Sequence, residues 1–323
     1  MNTLIQQIIE RTGGSRILVA GDVMIDAYDF CFTEQSRPSP ESPDKRVYTA
    51  HRTARMLGGA GNVAANLSSL KTTVWLLSIC GDDGNALETR RLCEAAGIRH
   101  KLLPDFSRPT PIKTRLYIDD HYLLRRDDEK THKVSDGVSS EICIEFSRLI
   151  ESVDAVIFSD YNKGFFTPEN AQRMIELCRA RGVPVIVDLK PANRSIFAGA
   201  TVIAPNLKEA RDMLNSFDPA KETESMAALY SVLGSEKIVV TLGADGMLTY
   251  DGKTVSRVAG RKVKAVDPCG CGDTVRAGLT LGLVSGLTLP KAAEFANYAA
   301  SLVVQKLGTA TLTPDELITG ELQ

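Results

Sequence analysis

The sequence predicts an α/β fold in which helices cover both faces of a mainly parallel central sheet, giving three layers. Apolar runs of strand length, rich in Val, Ile and Leu, are typical of strands that are buried on both faces. These runs span 16–21, 73–80, 155–160, 184–190, 201–206 and 237–243. Helical stretches alternate with them and span 59–70, 83–97, 137–152, 167–181, 206–214 and 221–234. This alternation predicts parallel strands that are joined by crossover helices.

The two ends of the chain add further elements to this core. Residues 2–10 place Leu4, Ile5, Ile8 and Ile9 on one face, which predicts a short amphipathic helix. After residue 243 the segments MLTY, TVSRV and KVKAV alternate polar and apolar residues, which predicts antiparallel strands at one edge of the sheet. Two helices, at about 271–286 and 290–306, then close the fold.

Two segments interrupt the alternation of strands and helices. Residues 27–56 carry Pro38, Pro40 and Pro43 and then an alternating run, VYTAHR. Residues 98–127 alternate polar and apolar residues without a helical stretch, and both segments are longer than an ordinary connection. We expect them to form a small β-sheet lid over the carboxyl ends of the main strands, where open α/β sheets bind ligands. The whole chain, 1–323, would then be a single domain.

Composition and charge exclude several classes of protein. The chain has 323 residues, with 38 Lys and Arg against 40 Asp and Glu, so its net charge is −2. Binders of nucleic acids or anionic membranes normally carry a basic excess, and we expect neither as a partner. No apolar stretch approaches the about 18 residues of a membrane span, and the N-terminus lacks a secretory pattern. The seven scattered cysteines fit a reducing compartment, so we expect a cytoplasmic protein.

The strongest chemical signal is the segment Asp-Pro-Cys-Gly-Cys-Gly-Asp at 267–273, which follows a short strand and opens a helix. Its glycines allow a tight turn, and the amides of Gly270, Cys271 and Gly272 would form an anion hole at the helix N-terminus. Asp273 is placed to take a proton from a hydroxyl group near that anion site. Phosphoryl transfer requires these two parts together. The alternative is that Asp273 only caps the helix.

A second glycine turn, from Gly58 and Gly59 to Asn62, opens another helix near the predicted lid. Its backbone amides and the Asn62 side chain could hold an anionic or hydroxyl-rich ligand, although glycine turns before helices are common. Neither GxGxxG nor GxxxxGK[ST] occurs in the chain. A Rossmann dinucleotide site and a Walker phosphate loop are therefore not indicated.

Together with Pro205-Asn206-Leu-Lys-Glu209, these two elements resemble the ribokinase-like (PfkB) carbohydrate kinases, and the resemblance covers essentially the whole chain. It implies the ribokinase-like fold, ATP as phosphoryl donor, Mg²⁺, and a small-molecule acceptor. Within the family, the segments GDVMIDAY (21–28), RPSPESP (37–43) and SDYNKG (159–164) are most similar to D-glycero-D-manno-heptose 7-phosphate kinases. This implies transfer of the γ-phosphoryl group to the anomeric C1 hydroxyl of a sugar phosphate, for ADP-heptose and lipopolysaccharide core synthesis.

An acceptor that already carries a phosphate requires cations remote from Asp273, and arginine suits bidentate phosphate contacts. The candidates on or near the lid are Arg37, Lys113, Arg115, Arg125 and Lys163. The alternative for each of them is a solvated surface charge. Asp26, Asn62 and Asp160 could bind sugar hydroxyls, although Asp26 could instead cap a loop.

On the nucleotide side, the resemblance implies roles for several positions. It places Lys190 near the transferred phosphate, and Asn206 and Glu209, at i and i+3, around the water shell of Mg²⁺ rather than on the metal itself. Thr241, Gly243 and Gly246 would face the ATP phosphates and ribose. Asn297 would line the adenine pocket, or would alternatively be an amide on the helix surface. The resemblance also implies a monovalent cation, such as K⁺, near Asp267 and a homodimer that forms through the lid.

One departure from the family pattern is the presence of Pro268, Cys269 and Cys271 where heptose kinases usually carry Thr and Ala. A thiol at a helix N-terminus can have a lowered pKa, so we hypothesise that oxidation of Cys271 would block phosphate binding. Two other functions stay open, namely a kinase of an unphosphorylated sugar or nucleoside, and a sugar-phosphate-binding regulator without catalysis. Some relatives fuse the kinase to a nucleotidyltransferase, and we expect 323 residues to leave no room for that second enzyme.

Overall fold

The computed structural model describes residues 2–322, with side chains from residue 5 onward, and places a nine-stranded sheet between two layers of helices. In chain order the strands are β1 (Arg16–Gly21), β2 (Val23–Cys31), β3 (Arg37–Pro38), β4 (Arg46–Val47), β5 (Ala50–Gly59), β6 (Thr73–Cys80), β7 (Arg99–Pro104), β8 (Ile112–Ile118), β9 (His121–Asp128), β10 (Ala155–Ser159), β11 (Val185–Asp188), β12 (Val202–Ile203), β13 (Lys237–Thr241), β14 (Gly246–Tyr250) and β15 (Val255–Ala259). The helices are α1 (Asn2–Thr12), α2 (Ala60–Ser69), α3 (Gly84–Ala95), α4 (Asp136–Leu149), α5 (Pro168–Arg181), α6 (Leu207–Met213), α7 (Glu222–Leu233), α8 (Cys271–Val284), α9 (Leu289–Val303) and α10 (Pro314–Thr319).

The main sheet has the strand order β15-β14-β13-β12-β11-β10-β1-β6-β7. The neighbouring strands β7, β6, β1, β10, β11, β12 and β13 pair in parallel, whereas β14 and β15 are antiparallel to their neighbours. Alternate residues of β10 show how both faces are buried, because Val156 and Phe158 join one apolar core while Ala155 and Ile157 join the other. The predicted three-layer α/β architecture and its antiparallel edge are confirmed.

A separate four-stranded sheet, which we call the small sheet, has the order β5-β2-β8-β9. It uses residues from both of the segments that interrupt the alternation. A single residue, Asp22, separates β1 of the main sheet from β2 of the small sheet, so the chain passes directly from one sheet to the other. Two predicted boundaries differ from this. The small sheet begins at residue 23 rather than 27, and residues 99–104 form β7 of the main sheet, parallel to β6.

The misassigned strand β7 lies at the edge of the main sheet, where only β6 pairs with it. Its first half is therefore polar and partly exposed, and Arg99, His100 and Lys101 do not resemble a strand that is buried on both faces. The expected strand in KVKAV is also absent, because no strand lies between β15 and α8. In the described part of the chain this stretch instead leads out of the sheet toward the start of α8.

Helices α8 and α9 pack closely against each other at two glycines. A Cβ atom at Gly278 would lie 2.8 Å from Ala296 Cα, and one at Gly282 would lie 2.7 Å from Ala292 Cα. Only glycine permits this approach, and it packs the helix that begins at the 267–273 segment tightly against its neighbour. Among residues 2–322, none of the helices has the length and apolar character that crossing a bilayer requires.

Candidate active site

The segment 267–273 lies between two cavities at the carboxyl ends of the parallel strands. The first, which we call the charged cavity, has a volume of about 350 Å³ and is lined mainly by polar and charged side chains. Its lining includes Asp26, Gly59, Lys113, Arg115, Arg125, Tyr161, Lys163, Lys190, Gly270 and Asp273. The second, the apolar cavity, has a volume of about 470 Å³. Its lining includes Thr241, Gly243, Gly246, Met247, Val263, Cys271, Gly272, Val275, Asn297, Ala300 and Val304.

Asp273 lies in the first turn of α8, where its buried carboxylate reaches the wall of the charged cavity. Oδ2 accepts a hydrogen bond from Asn62 Nδ2 at 2.7 Å, and Oδ1 accepts one from the Tyr161 hydroxyl at 2.8 Å. Burial raises the pKa of Asp273 to about 7, although the bonds from Asn62 and Tyr161 act in the opposite direction. A carboxylate with this pKa can exchange a proton near neutral pH, which is what a general base requires.

A second buried carboxylate, Asp188 at the end of β11, is paired with a cation. Arg276 Nη2 donates to Asp188 Oδ1 and to the Ala204 carbonyl, both at 2.6 Å, and Nη1 donates to the Gly272 carbonyl at 3.0 Å. Arg276 thereby ties the glycine turn to the strand ends. Burial raises the pKa of Asp188, while the adjacent Arg276 opposes that shift. Because Arg276 is engaged here, the hydrogen bonds that Asp273 accepts come from neutral donors.

The turn at 267–270 is shaped by backbone contacts. Gly270 has φ of 79°, and a Cβ atom there would lie 2.7 Å from Asn62 Nδ2, so the position requires glycine. Asp267 accepts hydrogen bonds from Cys269 N at 2.9 Å and from Gly308 N at 3.0 Å. These contacts hold the start of α8 between the cavities. The Cys271 amide donates a long hydrogen bond to the Pro268 carbonyl at 3.3 Å, which an anion at this helix N-terminus would share or replace.

The cations of the charged cavity are each paired with a carboxylate. Lys113 Nζ lies 2.8 Å from Asp127 and 3.1 Å from Glu129, and Glu129 also pairs with Lys163. Arg115 pairs with Asp26, Arg125 with Asp127 at 2.8 Å, and Lys190 with Glu209 at 2.6 Å. An anionic ligand that enters this cavity would have to exchange places with one of these carboxylates.

The loop at 160–165, after β10, is fixed by hydrogen bonds to two buried carboxylates. Asp22 accepts hydrogen bonds from the backbone N–H groups of Tyr161, Lys163 and Phe165 at 2.8, 3.0 and 3.1 Å. Asp160 accepts hydrogen bonds from Asn162 N at 2.8 Å and from Asn193 Nδ2 at 2.9 Å. This network fixes the positions from which Tyr161 and Lys163 enter the charged cavity.

The comparisons with known proteins agree with this geometry. Residues 15–316 match the sequence profile of the pfkB family carbohydrate kinases. The chain belongs to the pfkB family of carbohydrate kinases. Membership makes it a phosphotransferase with an alcohol group as acceptor, and this kinase family implies the use of ATP and Mg²⁺.

Curated relatives that are more than 30% identical to this chain carry the name "Bifunctional protein HldE". The protein from Paramagnetospirillum magneticum is 36% identical and covers 98% of this kinase, and that from Caulobacter vibrioides is 37% identical and covers 94%. The chain spans 65% and 63% of the length of these two relatives.

Solved structures confirm the ribokinase-like fold. Phosphofructokinase-2 from Escherichia coli, described in complex with potassium, has a TM-score of 0.77 at 17% identity and covers 95% of this chain and 97% of its own. A carbohydrate kinase from Agrobacterium tumefaciens has a TM-score of 0.71 at 21% identity and covers 94% and 96%. At such identities the likeness shows the fold alone.

Most of the sequence-predicted residues of the kinase lie around the two cavities. Asp26, Gly59, Lys113, Arg115, Arg125, Lys163, Lys190, Gly270 and Asp273 line the charged cavity, and Thr241, Gly243, Gly246, Cys271, Gly272 and Asn297 line the apolar cavity. Asn297 lies on the buried side of α9 and donates to the Ala259 carbonyl at 2.9 Å. It is therefore not an exposed amide on the helix surface.

Apart from Asn206 and Glu209, four predicted residues lie outside the lining of both cavities. Arg37 is exposed in the short β3–β4 hairpin, Gly58 is buried beside Asp26, and Asp160 lies beneath the 160–165 loop. Asn62 is also buried, and its amide contacts Asp273.

Asn206 and Glu209 form a capping box at the start of α6. Asn206 is the N-cap, and its Oδ1 accepts from Glu209 N at 2.9 Å, while Glu209 Oε2 accepts from Asn206 N at 2.9 Å. The other Glu209 oxygen accepts from Lys190 Nζ at 2.6 Å. Within residues 2–322 no cluster of three or more His, Cys, Asp or Glu side chains is positioned to hold a metal ion. Because their oxygens already accept these hydrogen bonds, the two side chains would suit the water ligands of a Mg²⁺ ion better than the ion itself.

The expected low pKa of Cys271 is contradicted. Burial, together with Asp267, Cys269 and Asp273, raises the pKa of Cys271 to about 12, and burial raises that of Cys269 to about 11. Burial, and after it the neighbouring acidic groups, outweigh the effect of the helix N-terminus, so both thiols keep their protons at neutral pH.

Sequence reasoning missed Tyr161, Asp188 and Arg276 as site residues. Tyr161 stands inside the SDYNKG segment, from which only Asp160 and Lys163 were named as candidate site residues. Arg276 follows Asp273 by one helical turn, a spacing that could have placed both on one face of α8. Asp188 closes an apolar strand, so its carboxylate was predictable as a residue at the strand end.

Proposed function

We propose that this kinase transfers the γ-phosphoryl group of ATP to the C1 hydroxyl of D-glycero-D-manno-heptose 7-phosphate, giving the 1,7-bisphosphate for ADP-heptose and lipopolysaccharide core synthesis. The observation that carries the proposal is the position of Asp273, a buried carboxylate at the wall of a cavity that also contains five cations. The resemblance of the 37–43 and 159–164 segments to heptose 7-phosphate kinases and the HldE relatives support the choice of sugar.

The chemical step uses Asp273 as general base. The acceptor hydroxyl donates its proton to the carboxylate as its oxygen forms a bond to the γ-phosphorus. The bond between that phosphorus and the β–γ bridging oxygen breaks, and its electron pair leaves with ADP. The amides of Gly270, Cys271 and Gly272, at the N-terminus of α8, stabilise the charge on the migrating group.

The phosphate that the acceptor already carries would bind among Lys113, Arg115, Arg125 and Lys163. These cations come from the small sheet and from the 160–165 loop, and Glu129 lies between Lys113 and Lys163 in the free protein. A phosphate carries up to two negative charges and can accept several hydrogen bonds, so it can replace this single carboxylate favourably. A neutral sugar lacks that advantage.

The nucleotide would place its adenine in the apolar cavity, near Asn297, and its phosphates toward Gly270–Gly272. Mg²⁺ supplies charge neutralisation of the phosphates, and Asn206 and Glu209 would orient its water ligands. We extend the proposal to a K⁺ ion near Asp267, since each of its carboxylate oxygens accepts one hydrogen bond and keeps a free lone pair. The potassium complex of phosphofructokinase-2 supports this extension.

We also propose a homodimer, formed through the small sheet, that acts in the cytoplasm. Strand β9 is the edge of that sheet and exposes the apolar side chains of Tyr122, Leu123 and Leu124. Apolar residues on an open sheet edge favour association with another chain. Light scattering on the purified protein should give twice the mass of one chain, and the Leu123→Arg protein should have the mass of a monomer.

The decisive experiment compares acceptors in a coupled ADP-release assay. Heptose 7-phosphate should give the highest kcat/KM, well above fructose 6-phosphate, ribose, fructose and adenosine. A preference for an unphosphorylated sugar or nucleoside would replace the proposed substrate. The Asp273→Asn variant separates a kinase from a binding regulator, because a kinase loses turnover while it keeps its affinity for both ligands.

A further inference from the structure

Tyr161 is anchored at three points around the proposed base. Its backbone N–H donates to Asp22 at 2.8 Å, its ring lies 5.1 Å from Lys190 Nζ, and its hydroxyl donates to Asp273 Oδ1 at 2.8 Å. The first contact fixes the loop, and the second fixes the plane of the ring. The hydroxyl is therefore held at the carboxylate by the fold and does not meet it as a mobile surface group.

The hydroxyl is a permanent donor. Burial, with Asp273 and Asp188 nearby, raises the pKa of Tyr161 well above its ordinary value, so the phenol keeps its proton. Asp273 then has one neutral donor on each oxygen, Tyr161 on Oδ1 and Asn62 on Oδ2. Each oxygen keeps another lone pair, to which an acceptor hydroxyl can donate.

We propose that Tyr161 is a positioning residue for phosphoryl transfer, which stabilises the charged form of Asp273 and fixes the orientation of its carboxylate toward the acceptor hydroxyl. This inference rests on the proposed role of Asp273 as general base.

The chemistry explains why a phenol suits this place. A direct ion pair would lower the pKa of the carboxylate and would thereby make it a weaker base. Without any donor, the buried carboxylate would stay protonated at neutral pH. A neutral hydrogen bond lies between these extremes.

The other groups that face Asp273 leave this role to Tyr161 and Asn62. Asn62 comes from α2, Asp188 from β11, and Cys271 and Arg276 from α8 itself. Arg276 lowers the pKa of Asp273, but its Nη1 and Nη2 groups donate to Asp188, Ala204 and Gly272 and not to Asp273. Its buried Nε has no hydrogen-bond partner among the described residues. Asp188 raises that pKa, and the Cys271 thiol stays neutral.

The test is the Tyr161→Phe variant, which keeps the ring and its contact with Lys190 and removes only the hydroxyl. Loss of one hydrogen bond to a charged acceptor should move the acid limb of kcat/KM to higher pH by about one unit. The value of kcat should fall about tenfold at pH 7 and return to within about threefold of the wild type at pH 9, where Asp273 is ionised in both proteins. The KM for ATP should not change.

Incorporation of 3-fluorotyrosine at position 161 should shift the acid limb of the kcat/KM profile in the opposite direction. It keeps the side chain and makes the hydroxyl a stronger donor, so the acid limb should move to lower pH. Tyr230→Phe is the matched control and should keep the wild-type profile, because this half-buried tyrosine of α7 packs on Tyr250 and lies outside both cavities.

A uniform loss of activity at every pH, or an unchanged profile in both variants, would overturn the proposed role of Tyr161. Turnover that survives in Asp273→Asn would instead refute the role of Asp273, so the two failures can be told apart. If Tyr161→Phe unfolds, as judged by its circular dichroism, the fluorotyrosine protein alone decides the question.

Discussion

The charged cavity and the apolar cavity share the 267–273 segment but differ in how their walls are made. The charged cavity takes its side chains from the small sheet and the 160–165 loop, and its cations are already paired with carboxylates. The apolar cavity takes its wall from β14, α8, α9 and the 261–268 segment. It consists mostly of aliphatic side chains and glycine, and Arg261 and Lys262 also line it. Binding in the first therefore requires an exchange of ionic partners, whereas binding in the second requires a fitting shape. Substitutions on the two sides should accordingly separate the acceptor from the nucleotide.

Asp273→Asn, at the boundary of both cavities, should have the largest effect. It removes the base and keeps the shape, so kcat should fall about a thousandfold while the dissociation constants of both ligands change little. Single-turnover kinetics and isothermal titration calorimetry measure the two quantities. Asp212→Asn, on the exposed side of α6, is the control and should keep full activity.

The same variant makes a prediction about stability. The pKa of Asp273 is raised in the folded protein, to about 7 from 3.8, so the folded state binds more protons than the unfolded state between these values. The wild-type protein should therefore lose stability as the pH rises from 4 to 7, by about 3 kcal/mol at most, and the Asp273→Asn protein should escape that loss. The gain in Tm of the variant over the wild type should be larger at pH 8 than at pH 5. An equal difference at both values would contradict the raised pKa.

Lys163→Met should affect the charged cavity alone. Loss of a charge-assisted contact to the acceptor's phosphate should raise the KM for heptose 7-phosphate about 30-fold and leave the KM for ATP unchanged. Lys130→Met, an exposed lysine near the same loop, is the matched control. An equal rise in both KM values would mean that the cavities are not independent.

Ala300→Leu should affect the apolar cavity alone. The larger side chain enters the space assigned to adenine, so the KM for ATP should rise about tenfold while the KM for the sugar phosphate stays constant. Ala227→Leu, a half-buried position on α7 outside both cavities, controls for the added volume. An unchanged KM for ATP would place the adenine elsewhere.

Glu129→Gln should have the smallest effect, and it should lower a KM where the preceding two substitutions raise one. Without its charge, residue 129 should leave Lys113 and Lys163 more easily, so the KM for heptose 7-phosphate should fall about threefold. Asp128→Asn, its exposed neighbour, is the control and should change nothing. A rise in KM would show that Glu129 orients the lysines for the phosphate and does not compete with it.

The sequence was sufficient to predict the main elements, because burial on both faces leaves a clear pattern. The runs at 16–21 and 73–80 coincide with β1 and β6, and the helices agree to within a few residues. The exceptions are a strand that is only partly buried and a helix that is too short to show a clear pattern. Strand β7 is an exposed edge, and α10, near the C-terminus, was not predicted because it is only six residues long.

The contacts within the candidate site could be predicted only in part. The glycine turns and Asp273 are local patterns, so the sequence places them correctly. The partners of Asp273 are separated from it by 211 residues for Asn62 and 112 for Tyr161, and no local pattern records such pairs. The pKa of Cys271 depends in the same way on distant packing, which is why a rule based on the helix N-terminus gave the wrong direction.

The close crossing of α8 and α9 has a consequence for how a catalytic cycle could proceed. Because Gly278 and Gly282 lie against Ala296 and Ala292 without room for a methyl group, α8 cannot slide or rotate along α9 without a clash. The start of α8, with Asp273 and the amides of the glycine turn, should therefore keep its position relative to α9. We therefore expect the movements of the catalytic cycle to occur in the substrates and in the small sheet, relative to the start of α8.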